Sequence, residues 1–418
     1  MRGRPGWTAE VDDTGKLVLP DEARLAGGLT PGTRLSVELE NGRLQLRRPP
    51  TQLAKLYIEP TTRCNLACRM CVRNTWTEPI GEMSESSFQA ILEGLRAFDP
   101  LPRIVFSGFG EPLAHPRLAA MVAAVKGLGA PAEVVTNGTL LTKELSADLL
   151  EAGLDRLWVS LDGAGPESYA DIRSGASLPL VLENLSGFRQ LSGHSPGARS
   201  EVGIVFVAMR RNVGDLPSLV RLGWRLGAWR FMVTNVLPYS AEMCSESLCT
   251  WARNYWPSRP SPWIPEIRLP DIDFNRDTRE ALMSLLQSVA NVRFLDLGRH
   301  DAHDRCPFIE DGAAAVGWDG SFSPCLTLLH DQVTYLDEQR RRSSRRYVLG
   351  NVDHMTLKDL WLDASHLAFR ERVRAFEFSP CTACGGCDLA EANEEDCFGN
   401  AFPTCGGCLW GQGVLQCP

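Results

Sequence analysis

Tyr57-Ile58-Glu59-Pro60-Thr61-Thr62-Arg63-Cys64-Asn65-Leu66-Ala67-Cys68-Arg69-Met70-Cys71 is a short apolar, strand-like run that opens into a polar loop carrying three cysteines. Their spacing is C-x3-C-x2-C. Three thiolates on one loop can hold three corners of a 4Fe–4S cube, whose full protein ligation takes four. The fourth iron is then open to a small chelating ligand. The alternative is a zinc loop or a set of buried structural thiols, but zinc loops favour paired C-x2-C halves.

The rest of the chain sets the context for that loop. A length of 418 residues predicts two or three domains, and 44% hydrophobic with 22% charged residues is the composition of a soluble globular protein. The formal net charge of −8 argues against indiscriminate binding to nucleic acid or anionic membranes. Met1-Arg2-Gly3-Arg4-Pro5-Gly6 is not followed by the apolar core of a signal peptide, and no run reaches the length of a membrane span. A cytoplasmic protein is expected. Of the 14 cysteines, none precedes Cys64 and nine lie beyond residue 300. Thiols concentrated at one end of a large cytosolic chain point to metal rather than to a disulfide framework.

Residues 1–50 read as a small β module. Asp13-Thr14-Gly15 turns into Lys16-Leu17-Val18-Leu19-Pro20, a short helix spans 21–26, and a hairpin closes across Glu40-Asn41-Gly42. The segments 12–20 (DDTGKLVLP) and 29–46 (LTPGTRLSVELENGRLQL) resemble the AbrB-type swapped-hairpin domain, a family of intertwined DNA-binding dimers. Eight basic residues here balance seven acidic ones, so a homodimerisation or docking role is expected in place of DNA binding. Residues 51–240 alternate strands with helices. The strands are 56–58, 104–106, 134–136, 157–160, 202–207 and 230–233. Phe88, Ile91, Leu92 and Leu95, and again Leu118, Met121, Val122 and Val125, recur at helical spacing as core-facing stripes. Such alternation predicts parallel strands with helices outside and ligands at the carboxyl ends of the strands. Residues 241–300, with Trp251, Trp256 and Trp263 among prolines, read as an irregular bridging segment, and 301–418 as a cysteine-rich domain. Cys244 and Cys249 read as ordinary buried thiols, His300 and His303 as metal-free, and the run 340–346 (RRRSSRR) as a solvated loop or a dock for an acidic partner.

Ser107-Gly108-Phe109-Gly110-Glu111-Pro112 follows the second strand, Thr136-Asn137-Gly138 ends the third, and Ser160-Leu161-Asp162-Gly163 ends the fourth. A glycine turn lets backbone approach a ligand closely, and a neighbouring carboxylate accepts from a cationic amine. The three-cysteine spacing and this glycine turn together resemble the radical S-adenosylmethionine (SAM) enzymes and their "GGEP" motif, with Phe109 in place of one glycine. The resemblance implies an α/β partial (β/α)6 barrel. It implies that Cys64, Cys68 and Cys71 hold a SAM-binding 4Fe–4S cluster and that Gly110, Glu111 and Pro112 meet the SAM amino group. It also implies that Ser160, Asp162 and Arg173 reach the ribose or the carboxylate, with Asn137 on the same rim. For Asn137 and Asp162 a turn or N-cap role is the alternative.

Beyond residue 300 come Cys306, Gly320-Ser321-Phe322-Ser323-Pro324-Cys325, Cys381, Cys384, Cys387, Cys397, Cys405, Cys408 and Cys417. The opening C-x13-G-x4-C resembles the SPASM extension, which implies one or two auxiliary 4Fe–4S clusters. The later spacing departs from the usual pattern, and a structural zinc for part of the set is the alternative. The tail, with its repeated CGGC and the stretch 403–413 (PTCGGCLWGQG), looks like that of the maturases of tungsten-cofactor oxidoreductases. The expected function is then radical modification of such an oxidoreductase or its pterin cofactor, fed by a ferredoxin-like donor. A SPASM-type peptide-modifying enzyme is the second reading, although Leu326-Thr327 after Cys325 lacks the acidic base of sulfatase maturases. An iron–sulfur redox-sensing DNA-binding regulator is the third.

Overall fold

The computed structural model describes residues 8–26, 29, 35–40, 43–194, 200–249, 266–270, 272–286, 291–294, 306–335, 340–379, 381–382 and 387–418. Cys384, His300, His303, Trp251, Trp256 and Trp263 lie outside the described residues.

At the front, β1 (Glu10–Val11) pairs antiparallel with β2 (Leu17–Val18). The Asp12 carboxylate accepts from the backbone N–H of Thr14 and Lys16, and Gly15 takes φ 80° to complete the turn. A helix follows at Asp21–Ala26, then β3 (Ser36–Glu40) pairs antiparallel with β4 (Arg43–Arg47). The two hairpins form separate two-stranded sheets. Val11, Val18, Val37 and Leu44 are exposed, at 68%, 49%, 60% and 63%. The connection to the rest is fixed by Arg374, Arg370 and Trp361, which donate to the carbonyls of Arg48, Pro50 and Thr51.

The main sheet begins with β5 (Lys55–Ile58), β6 (Arg103–Phe106), β7 (Ala132–Thr136), β8 (Arg156–Ser160), β9 (Glu201–Ala208) and β10 (Ala228–Asn235), each parallel to the next. These are the six expected strands. Alternation along each strand divides the molecule into two cores. Leu56, Ile58, Ile104, Phe106, Val134, Leu157 and Val159 pack outward against the helices, including Glu85–Leu95 and Leu118–Gly127 with their stripes buried. Tyr57 and Val105 face inward and join Phe308, Ile309, Phe369 and Phe376 of the C-terminal part.

The bridging segment is partly sheet, which corrects the sequence reading. Within 241–300, β11 (Glu266–Leu269) and β12 (Asn291–Phe294) add to β10 as further parallel strands, with the helix Arg279–Leu286 between them. Both strands are only four residues long, too short for their periodicity to stand out beside the prolines. On the opposite edge, β13 (Ala313–Val316) pairs parallel with β5, and β14 (Ser321–Ser323) antiparallel with β13. A hairpin of β15 (Gln332–Tyr335) and β16 (Arg341–Ser344) follows, before β17 (Gly350–Asn351) returns antiparallel to β14. The cysteine-rich part thus grows directly from the strand that carries the three-cysteine loop. Among the described residues no helix is long and apolar enough to cross a membrane.

Candidate functional site

The loop after β5 is held on both sides. Ala67 and Arg69 donate their N–H to the carbonyls of Ser174 and Ile172, and the Arg69 guanidinium pairs with Asp171 at 2.8 Å. The glycine turn after β6 lies directly on this loop. A Cβ on Gly110 would stand 2.1 Å from the Thr61 carbonyl oxygen, and one on Gly108 2.4 Å from Glu59 Cγ. Only glycine permits that approach. The Glu111 N–H donates to the Arg63 carbonyl at 2.7 Å, which brings the third motif residue against the cysteine loop.

Glu111 is buried at 2% exposure, with Pro112 beside it. Its carboxylate accepts from the Leu113 N–H (3.0 Å), the Thr136 hydroxyl (2.6 Å) and the Asn137 N–H (2.7 Å). Burial raises its pKa against the pull of these donors. Asn137 reaches the other way: its amide donates to Asn65 Oδ1 at 3.0 Å and stands 4.0 Å from Cys64 Sγ. Its Oδ1 also accepts from Thr139, so the turn role and the approach to the thiol coexist. Asp162 is wholly buried, pairs with Arg173 at 2.6 Å and accepts from the Val207 N–H. Arg173 in turn brings Nη1 to 4.0 Å from Cys68 Sγ. Ser160, half-buried, stands at the end of β8. Burial pushes the Cys68 thiol up to about 11 despite Arg173, and raises that of Cys71.

Two features of this region carry no signal in the sequence. The first is Tyr169, fully buried, whose hydroxyl has no hydrogen-bond partner among the described residues. Burial raises its pKa to about 12, and Arg173, Asp162, Cys68 and Glu111 are the charged neighbours it senses. The second is His330. Its Nε2 meets Glu59 at 2.7 Å, and its Nδ1 meets Glu78. Trp76 and Phe109 pack against the ring, with centroids at 4.5 and 5.5 Å. Burial alone would favour the neutral ring, but hydrogen bonds to Glu59 and then Glu78 outweigh it and raise the pKa above the ordinary 6.5. Glu59 and His330 stand 271 residues apart, and a lone histidine in Leu328-Leu329-His330-Asp331 has no diagnostic spacing.

The C-terminal cysteines separate into groups. Cys306, Cys325, Cys405 and Cys408 line one buried cavity together with Phe308, Phe369 and Val373. Burial, then the neighbouring thiols, push Cys306 and Cys405 well up, and burial takes Cys325 to about 12. Cys381 is buried, with Sγ 3.1 Å from Ser379 Oγ, while Cys387 and Cys397 are exposed. Cys417 accepts from the indole of Trp410, itself a cavity residue, at 3.3 Å. The basic run 340–346 is not a solvated loop: 341–344 is a strand, and its alternation turns Arg342 inward to 2% exposure.

Residues 58–207 match the family described as the radical SAM superfamily, and residues 306–388 match SPASM, an iron–sulfur cluster-binding domain. This chain is a radical SAM enzyme with a SPASM domain. The enzyme is 29% identical over 372 residues to the tungsten-containing aldehyde ferredoxin oxidoreductase cofactor-modifying protein of Pyrococcus furiosus, across 87% of this chain and 96% of the relative. SuiB of Streptococcus suis, solved with S-adenosylmethionine, shares the fold at 16% identity with TM-score 0.52, over 80% of this chain and 71% of that one. The structure of anSMEcpe with bound AdoMet aligns at 16% identity and TM-score 0.53, over 79% and 86%.

The donor sets of this radical SAM enzyme fit 4Fe–4S clusters and SAM. Buried thiols with raised pKa values are poor anions until iron compensates their charge. Among the described residues no three Cys, His, Asp or Glu groups converge on one point, as ligands of a single ion do. Thiolates on a cube bind separate irons and need not converge. At the SAM end, the unpartnered Tyr169 hydroxyl and the Arg173 guanidinium are polar groups suited to a ligand that brings oxygen acceptors.

Proposed function

We propose that the enzyme matures a tungsten-containing oxidoreductase by modifying the protein or its pterin cofactor. The observation that carries this reading is likeness to the P. furiosus cofactor-modifying protein over 87% of this chain and 96% of that one. The relative described as a PqqA peptide cyclase, of Gluconobacter oxydans, matches over only 46% of this chain, which leaves peptide modification second. The balanced charge of the front module disfavours the DNA-binding regulator.

In this reading Cys64, Cys68 and Cys71 hold the SAM cluster. When bound, cluster and cofactor supply a 5′-deoxyadenosyl radical that takes a hydrogen atom from the substrate. The chain's own residues orient and enclose. Gly110 lets the turn press on the cysteine loop, Glu111 and Pro112 face the SAM amino group, and Ser160 and Asn137 line the rim. Arg173 is aimed at the carboxylate, and Asp162 holds it there through their ion pair. Cys306, Cys325, Cys405 and Cys408 hold one auxiliary cluster. Cys381, Cys384, Cys387 and Cys397 are the remaining set for a second, with Cys417 as the ninth cysteine. The exposure of Cys387 and Cys397 suits exchange with a ferredoxin-like donor in the cytoplasm.

The test is the mass of the oxidoreductase and of its extracted cofactor from cells with and without this enzyme. The expected result is a folded, inactive client that differs in mass. An active and chemically unchanged client would reject the maturase reading.

A further inference from the structure

Arg342 is a buried cation that no carboxylate pairs with among the described residues. Its β16 backbone pairs with Thr334 of β15, and strand alternation sends the guanidinium into the wall of the cavity that Cys306, Cys325, Cys405 and Cys408 share. It is 2% exposed. Nη1 donates to the Ala390 carbonyl at 2.7 Å, whereas Nε has no partner among the described residues. No acidic side chain among the described residues forms an ion pair with it. A buried charge in that condition costs several kcal/mol by order of magnitude unless an anion accompanies it.

The surroundings identify the anion. A Cβ on Gly407 would lie 2.6 Å from Arg342 Cζ, so the guanidinium rests on the backbone between Cys405 and Cys408. A Cβ on the adjacent Gly406 would lie 2.0 Å from the Ser379 carbonyl oxygen, and Ser379 Oγ is 3.1 Å from Cys381 Sγ. The Cys405–Cys408 turn and the Cys381 segment are therefore packed back to back, with Arg342 beside both. Burial lowers its pKa, and Cys381, Cys408 and Cys405 are the groups that oppose this.

We propose that Arg342 is the counter-cation of the auxiliary iron–sulfur site, and that its fixed charge holds the reduction potential of the cluster on Cys306, Cys325, Cys405 and Cys408 above the value the thiolates alone would give. Four thiolates leave a 4Fe–4S cube anionic, and reduction adds one more negative charge. A cation held in a dry wall stabilises the reduced form more than the oxidised one. Arg342 is a positioning residue in this account and ligates no iron.

The inference rests on the proposed ligand set, and the experiment separates the two. In the full-length chain carrying Cys64→Ala, Cys68→Ala and Cys71→Ala, which leaves only the auxiliary clusters, iron content and an EPR-monitored redox titration are compared for Arg342, Arg342→Lys and Arg342→Gln. The signal followed is the one that disappears when Cys306, Cys325, Cys405 and Cys408 are replaced with alanine. The expected result is full auxiliary iron with the Gln variant at least tenfold harder to reduce at a given potential, a shift of about 59 mV for one electron, and Lys between the two. Loss of iron in Gln but not in Lys supports the same role, since only the charge differs in kind. Equal potentials in all three, or equal loss of iron in Lys and Gln, would overturn it. Replacing Cys306, Cys325, Cys405 and Cys408 with alanine tests the ligand set itself: undiminished iron there rejects that assignment, whatever Arg342 does.

Discussion

Glu111 joins the glycine turn to the end of β7 through three donors, so its removal has two consequences. If Glu111 accepts from the SAM amino group as proposed, losing that charge-assisted bond weakens binding by roughly 1.5–3 kcal/mol, about ten- to a hundredfold. Leaving the Leu113 and Asn137 N–H groups unpaired also costs about 1–3 kcal/mol of stability each. Glu111→Ala is therefore expected to lower both SAM affinity in calorimetry and the melting temperature. Wild-type affinity in a folded variant would remove Glu111 from the SAM site. His330 gives a pH signature. Its folded pKa is raised, so the charged ring is worth most below 6.5 and its contribution is lost as pH rises through the higher folded value. Thermal stability of the wild type should fall across that window, and His330→Gln, with no proton to lose, should flatten the fall. Parallel curves for the two proteins would count against the imidazolium.

At the scale of elements, the front hairpins present apolar side chains to solvent. Val37 on β3 and Leu44 on β4 are 60% and 63% exposed, and Val11 on β1 is 68% exposed. A two-stranded hairpin is marginal alone and needs a further apolar surface. We expect residues 1–50 to pair two chains, and Val37→Asp with Leu44→Asp to yield a folded monomer by light scattering. An unchanged mass would assign the hairpins to another partner. Duplex DNA should bind only weakly, because a nearly balanced charge releases few counterions. Strands β5 to β10 of the main sheet behave differently: they are largely buried on both faces, which is why their apolar runs were legible in the sequence.

At the scale of the whole molecule, three cysteine sets predict about twelve irons per chain after anaerobic reconstitution. Alanine at Cys64, Cys68 and Cys71 should remove about four, and alanine at Cys306, Cys325, Cys405 and Cys408 about four others. Full iron after either replacement would reject that set as a cluster site. The inward faces of β5 and β6 carry Tyr57 and Val105 into the same apolar core as Phe308, Phe369 and Phe376. Removal of the C-terminal part should therefore expose the barrel interior rather than leave an independent domain.

The sequence by itself determined the features that are local along the chain. The C-x3-C-x2-C loop, the glycine turn at 108–110 and the six strands with their helix stripes each depend on spacing within a few residues, and backbone geometry converts such spacing directly into structure. Tertiary structure alone decided what depends on distant segments meeting. It joined Cys306 and Cys325 to Cys405 and Cys408, placed His330 between Glu59 and Glu78, and paired Asp162 with Arg173. It also drew β11 and β12 into the sheet and sent Arg342 out of an exposed-looking basic run into the wall of the cysteine-lined cavity. A single residue of ordinary type has no periodicity to announce it; its role is set by the packing of segments hundreds of residues apart, and that packing is a property of the folded whole.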